Sequence, residues 1–217
     1  MSGHDGIGMT SGRTRLRMVE MLRREGVTDE RVLGVMAEIP RHLFVDEGIA
    51  SRAYEDVALP IGHGQTISSP TIVAHMTQLL LQKGPMSKVL EIGTGCGYQT
   101  AVLAKLVKEV YTLERIAPLM DKARRHLRDL RFYNVRYKHA DGHAGYPEGA
   151  PYDGILMAAS ATHVPDALKQ QLAVGGRLVL PVGIEDQWLY VIDRTETGFT
   201  EQKCEPVRFV PLLPGLA

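Results

Sequence analysis

The chain has little of several features that would place it outside the ordinary globular proteins. Its 217 residues include two cysteines, which are too few for a disulfide framework and fit no zinc-ligand spacing. No apolar run approaches the roughly 18 residues that a membrane-spanning helix needs. Lys plus Arg number 25, and so do Asp plus Glu, so the chain lacks the basic excess of a protein that coats nucleic acid. We therefore expect a cytoplasmic enzyme, monomeric or weakly associating, without metal, membrane or nucleic-acid partners.

The first 69 residues differ in pattern from the rest. Residues 1–12 are rich in glycine and serine, and we expect a disordered lead-in there. Two amphipathic helices follow, the second capped by Asp29 and ending before Pro40. The apolar face predicted for the first helix comprises Leu16, Val19, Met21 and Leu22. We predict one domain over residues 13–217, in which a helical segment on the substrate side (13–69) packs on a core (70–217).

From residue 70 onward, apolar strands alternate with helices. The predicted strands are 88–92, 110–114, 135–138, 152–157 and 177–182, and two later runs, 188–193 and 207–210, predict a closing antiparallel pair. This alternation is typical of an α/β fold, here a Rossmann-like, doubly wound, mostly parallel seven-stranded sheet with an N-terminal helical extension. In such sheets ligands bind beyond the carboxyl ends of the strands.

A glycine-rich turn follows the first of these strands. Gly93, Gly95 and Gly97 are spaced G-x-G-x-G, and Tyr98 stands where the dinucleotide-binding fingerprint has a third glycine. This disfavours NAD or FAD and leaves room for another bulky ligand across the turn. The alternative is a tight strand-to-helix turn with no ligand.

Acidic residues end the next two strands. Glu114 closes the second strand, where a carboxylate can accept hydrogen bonds from the hydroxyls of a ribose. Asp141 and Gly142 follow the third strand, where a carboxylate can accept from an adenine amino group. The glycine turn and these acidic residues follow three successive strands, and together they predict a nucleoside site.

The segment 91–100, Glu-Ile-Gly-Thr-Gly-Cys-Gly-Tyr-Gln-Thr, resembles motif I of class I S-adenosylmethionine-dependent methyltransferases. Segments 58–70 and 207–212 are similar to two signatures of the protein-L-isoaspartate O-methyltransferases, and 40–45 also matches that family. The resemblance covers residues 13–217. It implies a doubly wound sheet whose last two strands are exchanged relative to most methyltransferases.

The resemblance also implies an activity. The methyl group of S-adenosylmethionine would pass to the free carboxylate of L-isoaspartyl residues in damaged proteins. The ester would collapse to a succinimide, whose hydrolysis returns some normal aspartate and so begins repair. Because a carboxylate is ionised at neutral pH, this chemistry needs no general base. It needs placement and partial desolvation of the anion.

The resemblance assigns the catalytic role to Ser68, whose hydroxyl would position the substrate. The alternative is that Ser68 only caps the helix that begins near Pro70. The residues predicted to bind the cofactor are Gln65, Thr66, Ile67, Ser68, Glu91, Gly93, Gly95, Gly97, Glu114, Arg115, Asp141 and Gly142.

Two other functions stay open at the level of sequence. The first is a methyltransferase that acts on RNA or on a small molecule. RNA enzymes of this fold usually carry a basic face or an Asn/Asp-Pro-Pro-aromatic motif after the fourth strand, where this chain has Met-Ala-Ala-Ser at 157–160. The second is a module that binds S-adenosylmethionine without catalysis, and the absence of turnover on isoaspartyl peptides would favour it.

Overall fold

The start of the chain is more ordered than expected. The structure, a computed structural model, describes residue 6 and residues 8–217. The prediction of a disordered lead-in is wrong for residues 8–12, because Gly8–Thr10 form a 3-10 turn and helix α1 (Gly12–Arg24) begins at once. The rest of that prediction, residues 1–5 and 7, lies outside the described residues.

The N-terminal segment contains the two expected helices, α1 and α2 (Glu30–Glu38). Asp29 caps α2, since its side chain accepts a hydrogen bond from the Arg31 amide at 2.9 Å. The apolar face predicted for α1 is partly wrong, because Leu16 is 59% exposed. The buried positions of α1 follow the spacing of one helical stripe, from which Leu16 is displaced by about 100°. They are Arg15, Met18, Val19 and Leu22.

The stretch between α2 and residue 70 is better organised than its sequence suggests. It contains 3-10 turns at Arg41–Phe44 and Glu47–Arg52, and then a hairpin of β1 (Leu59–Gly62) and β2 (Gln65–Ile67). These strands are too short to show an alternating pattern, so hydrophobic periodicity does not predict them.

The core is a seven-stranded sheet with the order β5-β4-β3-β6-β7-β8-β9. Strands β3 to β7 are parallel, and β8 and β9 each run antiparallel to the preceding strand. The last three strands therefore lie side by side in chain order. The strands are β3 (Lys88–Ile92), β4 (Glu109–Glu114), β5 (Val135–His139), β6 (Tyr152–Met157), β7 (Leu172–Val182), β8 (Gln187–Arg194) and β9 (Phe199–Val207). The helices are α3 (Pro70–Leu81), α4 (Tyr98–Leu106), α5 (Ala117–Asp129) and α6 (Asp166–Gln170).

The predicted last strand, 207–210, is misplaced. Strand β9 ends at Val207, and Val210 instead accepts a hydrogen bond from the Ser160 amide at 2.8 Å. Strand β9 is the exposed edge of the sheet, and its residues are mostly polar. An edge strand of this kind buries little on either face, so it carries no hydrophobic pattern.

The two faces of the sheet are covered unequally. Residues of α3, α4 and α5 pack with those of α1 and α2 in one hydrophobic cluster on one face. The other face is covered by α6 and by irregular segments that include Leu212. The chain order reverses between β3 and β6, so their carboxyl ends frame the switch point at which ligands bind. Within the described residues, no helix has both the length and the apolar character needed to cross a membrane.

Candidate active site

The glycine turn after β3 is fixed to the end of β4. The amides of Gly93 and Thr94 both donate to the carbonyl of Leu113, at 2.8 and 3.1 Å. Gly93 has φ +93° and Gly95 has φ +54°, conformations that side-chain-bearing residues adopt only at a cost. The turn therefore exposes its backbone to a cavity at the carboxyl ends of β3 and β4.

Glu114 lies in the wall of this cavity, as the sequence predicted. One carboxylate oxygen accepts from the Gly95 amide and the other from the Ile116 amide, each at 2.9 Å. The side chain is buried, yet each oxygen keeps a further acceptor position. The two amides thus hold a carboxylate in the cavity wall, where it can accept from the hydroxyl groups of a ligand.

Glu91 is also buried, but it does not line the cavity, so the prediction that it contacts the cofactor has no support in its position. Its Oε2 accepts from the hydroxyls of Thr100 and Thr112 at 2.5 and 2.6 Å, beneath the glycine turn. Its Oε1 is buried without a hydrogen-bond partner among the residues that the structure describes. Burial raises the pKa of Glu91 to about 8. Glu91 is thus a structural element of the turn, protonated at neutral pH.

Gly97 and Asp141 likewise lie outside the cavity lining. A Cβ on Gly97 would lie 3.2 Å from both Ala123 and Leu127 of α5, so this glycine permits helix packing instead of ligand contact. Asp141 uses its carboxylate to accept from the His143 amide at 2.9 Å and the Gly215 amide at 2.7 Å. Protein amides therefore hold the Asp141 carboxylate beside the cavity, and its role as an acceptor for adenine stays a prediction.

The other predicted residues lie together around the cavity. These are Gln65, Thr66, Ile67, Ser68, Gly93, Gly95, Glu114, Arg115 and Gly142. The prediction missed further lining residues, chiefly Gln99 and Ile116, the pair Ala158 and Ala159, and the segment 210–213. Two signals could have found some of them, because Gln99 belongs to the motif that begins at Glu91, and the segment overlaps the C-terminal signature at 207–212.

Ser68 occupies the junction between the cavity and a second, open cleft. Its side chain is half-buried, and it lines both spaces. Within the described residues, its hydroxyl makes no hydrogen bond. The alternative role as a helix cap is wrong, because the N-cap of α3 is Ser69, whose hydroxyl accepts from the Ile72 amide at 3.5 Å.

The cavity suits S-adenosylmethionine better than a dinucleotide. Glu114 and Arg115 are the only charged residues in its described lining, and the Arg115 guanidinium is directed to the Gly215 carbonyl at 3.0 Å. The remaining wall is largely apolar, with Leu113, Ile116 and Leu212 among its members. A carboxylate beside an apolar wall suits a ribose and an adenine ring, and it favours a cationic ligand over a phosphate. The residues present therefore fit this cofactor.

Comparison with solved structures gives the class of protein. The chain superposes on a protein-L-isoaspartate O-methyltransferase with a TM-score of 0.84 and 29% sequence identity, covering 93% of this chain and 67% of the other. A Plasmodium falciparum structure assigned to the same activity, in complex with S-adenosyl-L-homocysteine, gives 0.80 and 27%, covering 92% and 98%. Fold and site together define an S-adenosylmethionine-dependent methyltransferase with a Rossmann-like sheet.

Sequence comparison defines the family. The profile of the protein-L-isoaspartate(D-aspartate) O-methyltransferase family matches residues 13–216. The chain is 59% identical over 214 residues to the protein-L-isoaspartate O-methyltransferase of Methylobacillus flagellatus, covering 97% of this chain and 96% of the relative. It is 60% identical over 214 residues to that of Nitrosomonas eutropha, covering 98% and 96%. The chain belongs to the protein-L-isoaspartate(D-aspartate) O-methyltransferase family, and it uses S-adenosylmethionine to methylate isoaspartyl carboxylates.

Proposed function

We propose that Ser68 holds the substrate carboxylate where the cleft meets the cavity, and that repair of isoaspartyl damage in proteins begins there. The observation that carries this proposal is the position of Ser68, which lines both spaces while its hydroxyl is unused within the described residues. A hydroxyl in this place can donate to an anion that enters from the cleft. The lining residues of the cavity hold S-adenosylmethionine, which supplies a methyl group on a positively charged sulfur.

The cleft supplies the route for the polypeptide. It is open to solvent, and its walls combine charged groups (Asp56, Arg208) with apolar ones (Ile72, Phe209). At its inner end, Ala158 and Val210 adjoin both the cleft and the cavity. A carboxylate that passes these small and apolar groups loses part of its hydration, which raises its reactivity toward a cationic methyl donor. No residue has to remove a proton, because the carboxylate is already ionised.

Discrimination between linkages tests the substrate class. We expect the isoaspartyl peptide to be methylated. The matched aspartyl peptide should be methylated at a rate lower by at least several orders of magnitude. The two peptides have the same mass and charge, so the difference must come from placement, and an error of about 1 Å can cost on the order of 100-fold in rate. The measurement is transfer of labelled methyl groups to paired peptides. Equal rates would contradict the isoaspartyl assignment and leave the fold assignment intact.

Replacement of Ser68 by alanine tests its role. We expect Ser68→Ala to lower kcat on the isoaspartyl peptide by on the order of 10- to 150-fold, since one hydrogen bond to a charged group contributes roughly 1.5–3 kcal/mol. The Kd for S-adenosylmethionine, measured by calorimetry, should change little by comparison. A normal kcat in the variant would remove Ser68 from the catalytic machinery.

Several finer properties remain predictions from the sequence. These are a monomeric state, a cytoplasmic location, and the lack of nucleic-acid or membrane partners. Chromatography with light scattering would test the first of them directly.

A further inference from the structure

Arg41 is a fully buried arginine outside the residues that line the cavity and the cleft. It lies in the 3-10 turn Arg41–Phe44, and its side chain is 0% exposed. Within the described residues it forms no ion pair, and its Nη1 is buried without a hydrogen-bond partner. Burial lowers the pKa of Arg41. Removing a cation from water without a carboxylate partner is costly, so fold stability alone is a poor reason for an arginine at this position.

The contacts of Arg41 lead to the active site. Its Nη2 donates to the main-chain carbonyl of Ser68 at 2.8 Å, and its Nε donates to the carbonyl of Ala53 at 2.7 Å. The guanidinium carbon lies 4.8 Å from the ring centroid of Tyr98, which lines the cavity at the start of α4. One planar group therefore contacts both the serine segment and the first residue of the helix after the glycine turn.

The hydrogen bond from Arg41 restrains the main chain of Ser68, which belongs to neither a helix nor a strand. Strand β2 ends at Ile67 and α3 begins at Pro70, so Ser68 lies in the link between them. Ser69 joins the helix through its carbonyl, which accepts from the Val73 amide at 3.1 Å. The Ser68 carbonyl instead accepts from Arg41, and its hydroxyl is not held by any described residue.

We propose that Arg41 is a positioning residue, which fixes the main chain of Ser68 relative to Tyr98 and thereby sets the direction of the Ser68 hydroxyl. This inference rests on the proposed role of Ser68. The planar guanidinium suits this task, because its fixed donors reach two carbonyls while its face lies over an aromatic ring. A lysine ammonium keeps the charge but lacks this rigid fork.

The test compares Arg41→Lys and Arg41→Met with the wild type. We expect both variants to lower kcat on the isoaspartyl peptide by on the order of 10- to 100-fold, the effect of misplacing a reacting group by about 1 Å. The Kd for S-adenosylmethionine should stay within about twofold. The value of kcat is calculated from the concentration of protein that binds the cofactor, so that unfolded protein does not lower it. Methionine fills a similar volume without a buried charge, so it serves if the lysine variant does not fold.

Arg15→Lys is the matched control. Arg15 is also buried, at 6% exposure, and its Nη1 donates to the carbonyls of Glu38 and Ala37 at 2.7 and 3.3 Å, at the end of α2. We expect this variant to lower the Tm while kcat stays within about twofold of wild type. An equal loss of kcat in the two lysine variants would mean that Arg41 acts through general stability and would overturn the proposal.

A double mutant separates this inference from the proposed function. If Arg41 acts through Ser68, Arg41→Met should lower kcat little or not at all in a Ser68→Ala background. Independent, multiplying effects would overturn the positioning role. A normal kcat in both Arg41 variants would also overturn it, and so would failure of both to fold. An unchanged kcat in Ser68→Ala alone would instead contradict the role of the serine.

Discussion

Glu91 and Glu114 are both buried glutamates close to the glycine turn, yet their surroundings give them different chemistry. Glu114 accepts from two backbone amides and faces the cavity. Glu91 accepts from two threonine hydroxyls through one oxygen, and its other oxygen has no partner in the described part of the chain. Backbone amides donate to both carboxylate oxygens of Glu114, whereas burial raises the pKa of Glu91 to about 8. We therefore expect Glu114 to contribute to ligand binding and Glu91 to contribute to the pH response of the fold.

We expect Glu114→Ala to raise the Kd for S-adenosylmethionine. Loss of a charged acceptor for ribose hydroxyls costs about 1.5–3 kcal/mol, or on the order of 10- to 150-fold in Kd. Isothermal titration calorimetry measures the change directly. Glu114→Gln keeps one acceptor oxygen and should have a smaller effect. An unchanged Kd in the alanine variant would remove Glu114 from the cofactor site.

Glu91 should make the fold less stable as the pH rises. The pKa of its side chain is raised from 4.5 to about 8 in the folded protein. Between these values the unfolded chain has lost the proton and the folded chain has kept it, so each rise in pH favours unfolding. The slope contributed by one proton is at most about 1.4 kcal/mol per pH unit.

The variant Glu91→Gln cannot ionise and can still accept from both threonines. Its free energy of unfolding, measured by urea titration from pH 5 to pH 8, should fall less steeply with pH than that of the wild type. Subtracting one curve from the other cancels the carboxylates that the two proteins share. Parallel curves would contradict a raised pKa for Glu91.

At the level of elements, β3, the glycine turn and α4 form one unit. Each glycine in the turn lies against a different part of the protein. Gly93 faces Ala158, Gly95 approaches Ile61, and Gly97 lies against α5. The spacing in the sequence marks a turn of this kind, but the same spacing suits a ligand or a neighbouring helix. The partner of each glycine is set by elements that are distant in the chain.

We expect Gly97→Ala to lower the free energy of unfolding by about 2 kcal/mol or more. Its φ of +91° is unfavourable for alanine, and the new Cβ would lie 3.2 Å from Ala123 and Leu127. Urea titration gives the value.

Gly34→Ala is the matched control, because Gly34 lies on the exposed side of α2, and no described atom beyond its chain neighbours and its own helix backbone lies within 4 Å of the added Cβ. That variant should gain about 0.5–1 kcal/mol from its better helix propensity. Similar effects in the two variants would contradict the packing constraint at Gly97.

At the level of the whole molecule, the N-terminal segment and the sheet share one hydrophobic cluster. Leu22 of α1, Leu33 of α2 and Leu103 of α4 all belong to it and are essentially inaccessible to solvent. Separating the segment from the sheet would expose the apolar side chains of both. This packing supports the prediction of one domain over residues 13–217.

We therefore expect the chain to unfold in a single transition. Fluorescence of Trp188, the sole tryptophan, reports on the sheet, and circular dichroism at 222 nm reports mainly on the helices. The two thermal curves should coincide, and the calorimetric and van't Hoff enthalpies should agree. An early loss of helix signal with unchanged Trp188 fluorescence would show that the N-terminal segment unfolds separately.

The features that could be predicted from the amino-acid sequence arise from interactions between near neighbours in the chain. Asp29 capped its helix as predicted, the apolar runs formed strands β3 to β7, and the glycines formed the turn after β3. Caps, periodicity and positive φ depend on a few consecutive residues, so their pattern is visible in the chain. The motifs also indicated the cofactor and the end of the sheet at which the cavity lies.

Long-range contacts in the folded chain set which of the predicted residues face the cavity. The Asp141 carboxylate accepts a hydrogen bond from the amide of Gly215, 74 residues further on. Arg41 donates a hydrogen bond to the carbonyl of Ser68, 27 residues further on. Strand β9 forms although its residues show no apolar alternation, because β8 supplies its hydrogen bonds. Contacts of this kind join segments far apart in the chain. Whether a carboxylate, a glycine or an arginine meets a ligand or the protein itself therefore depends on partners that its own local sequence does not specify.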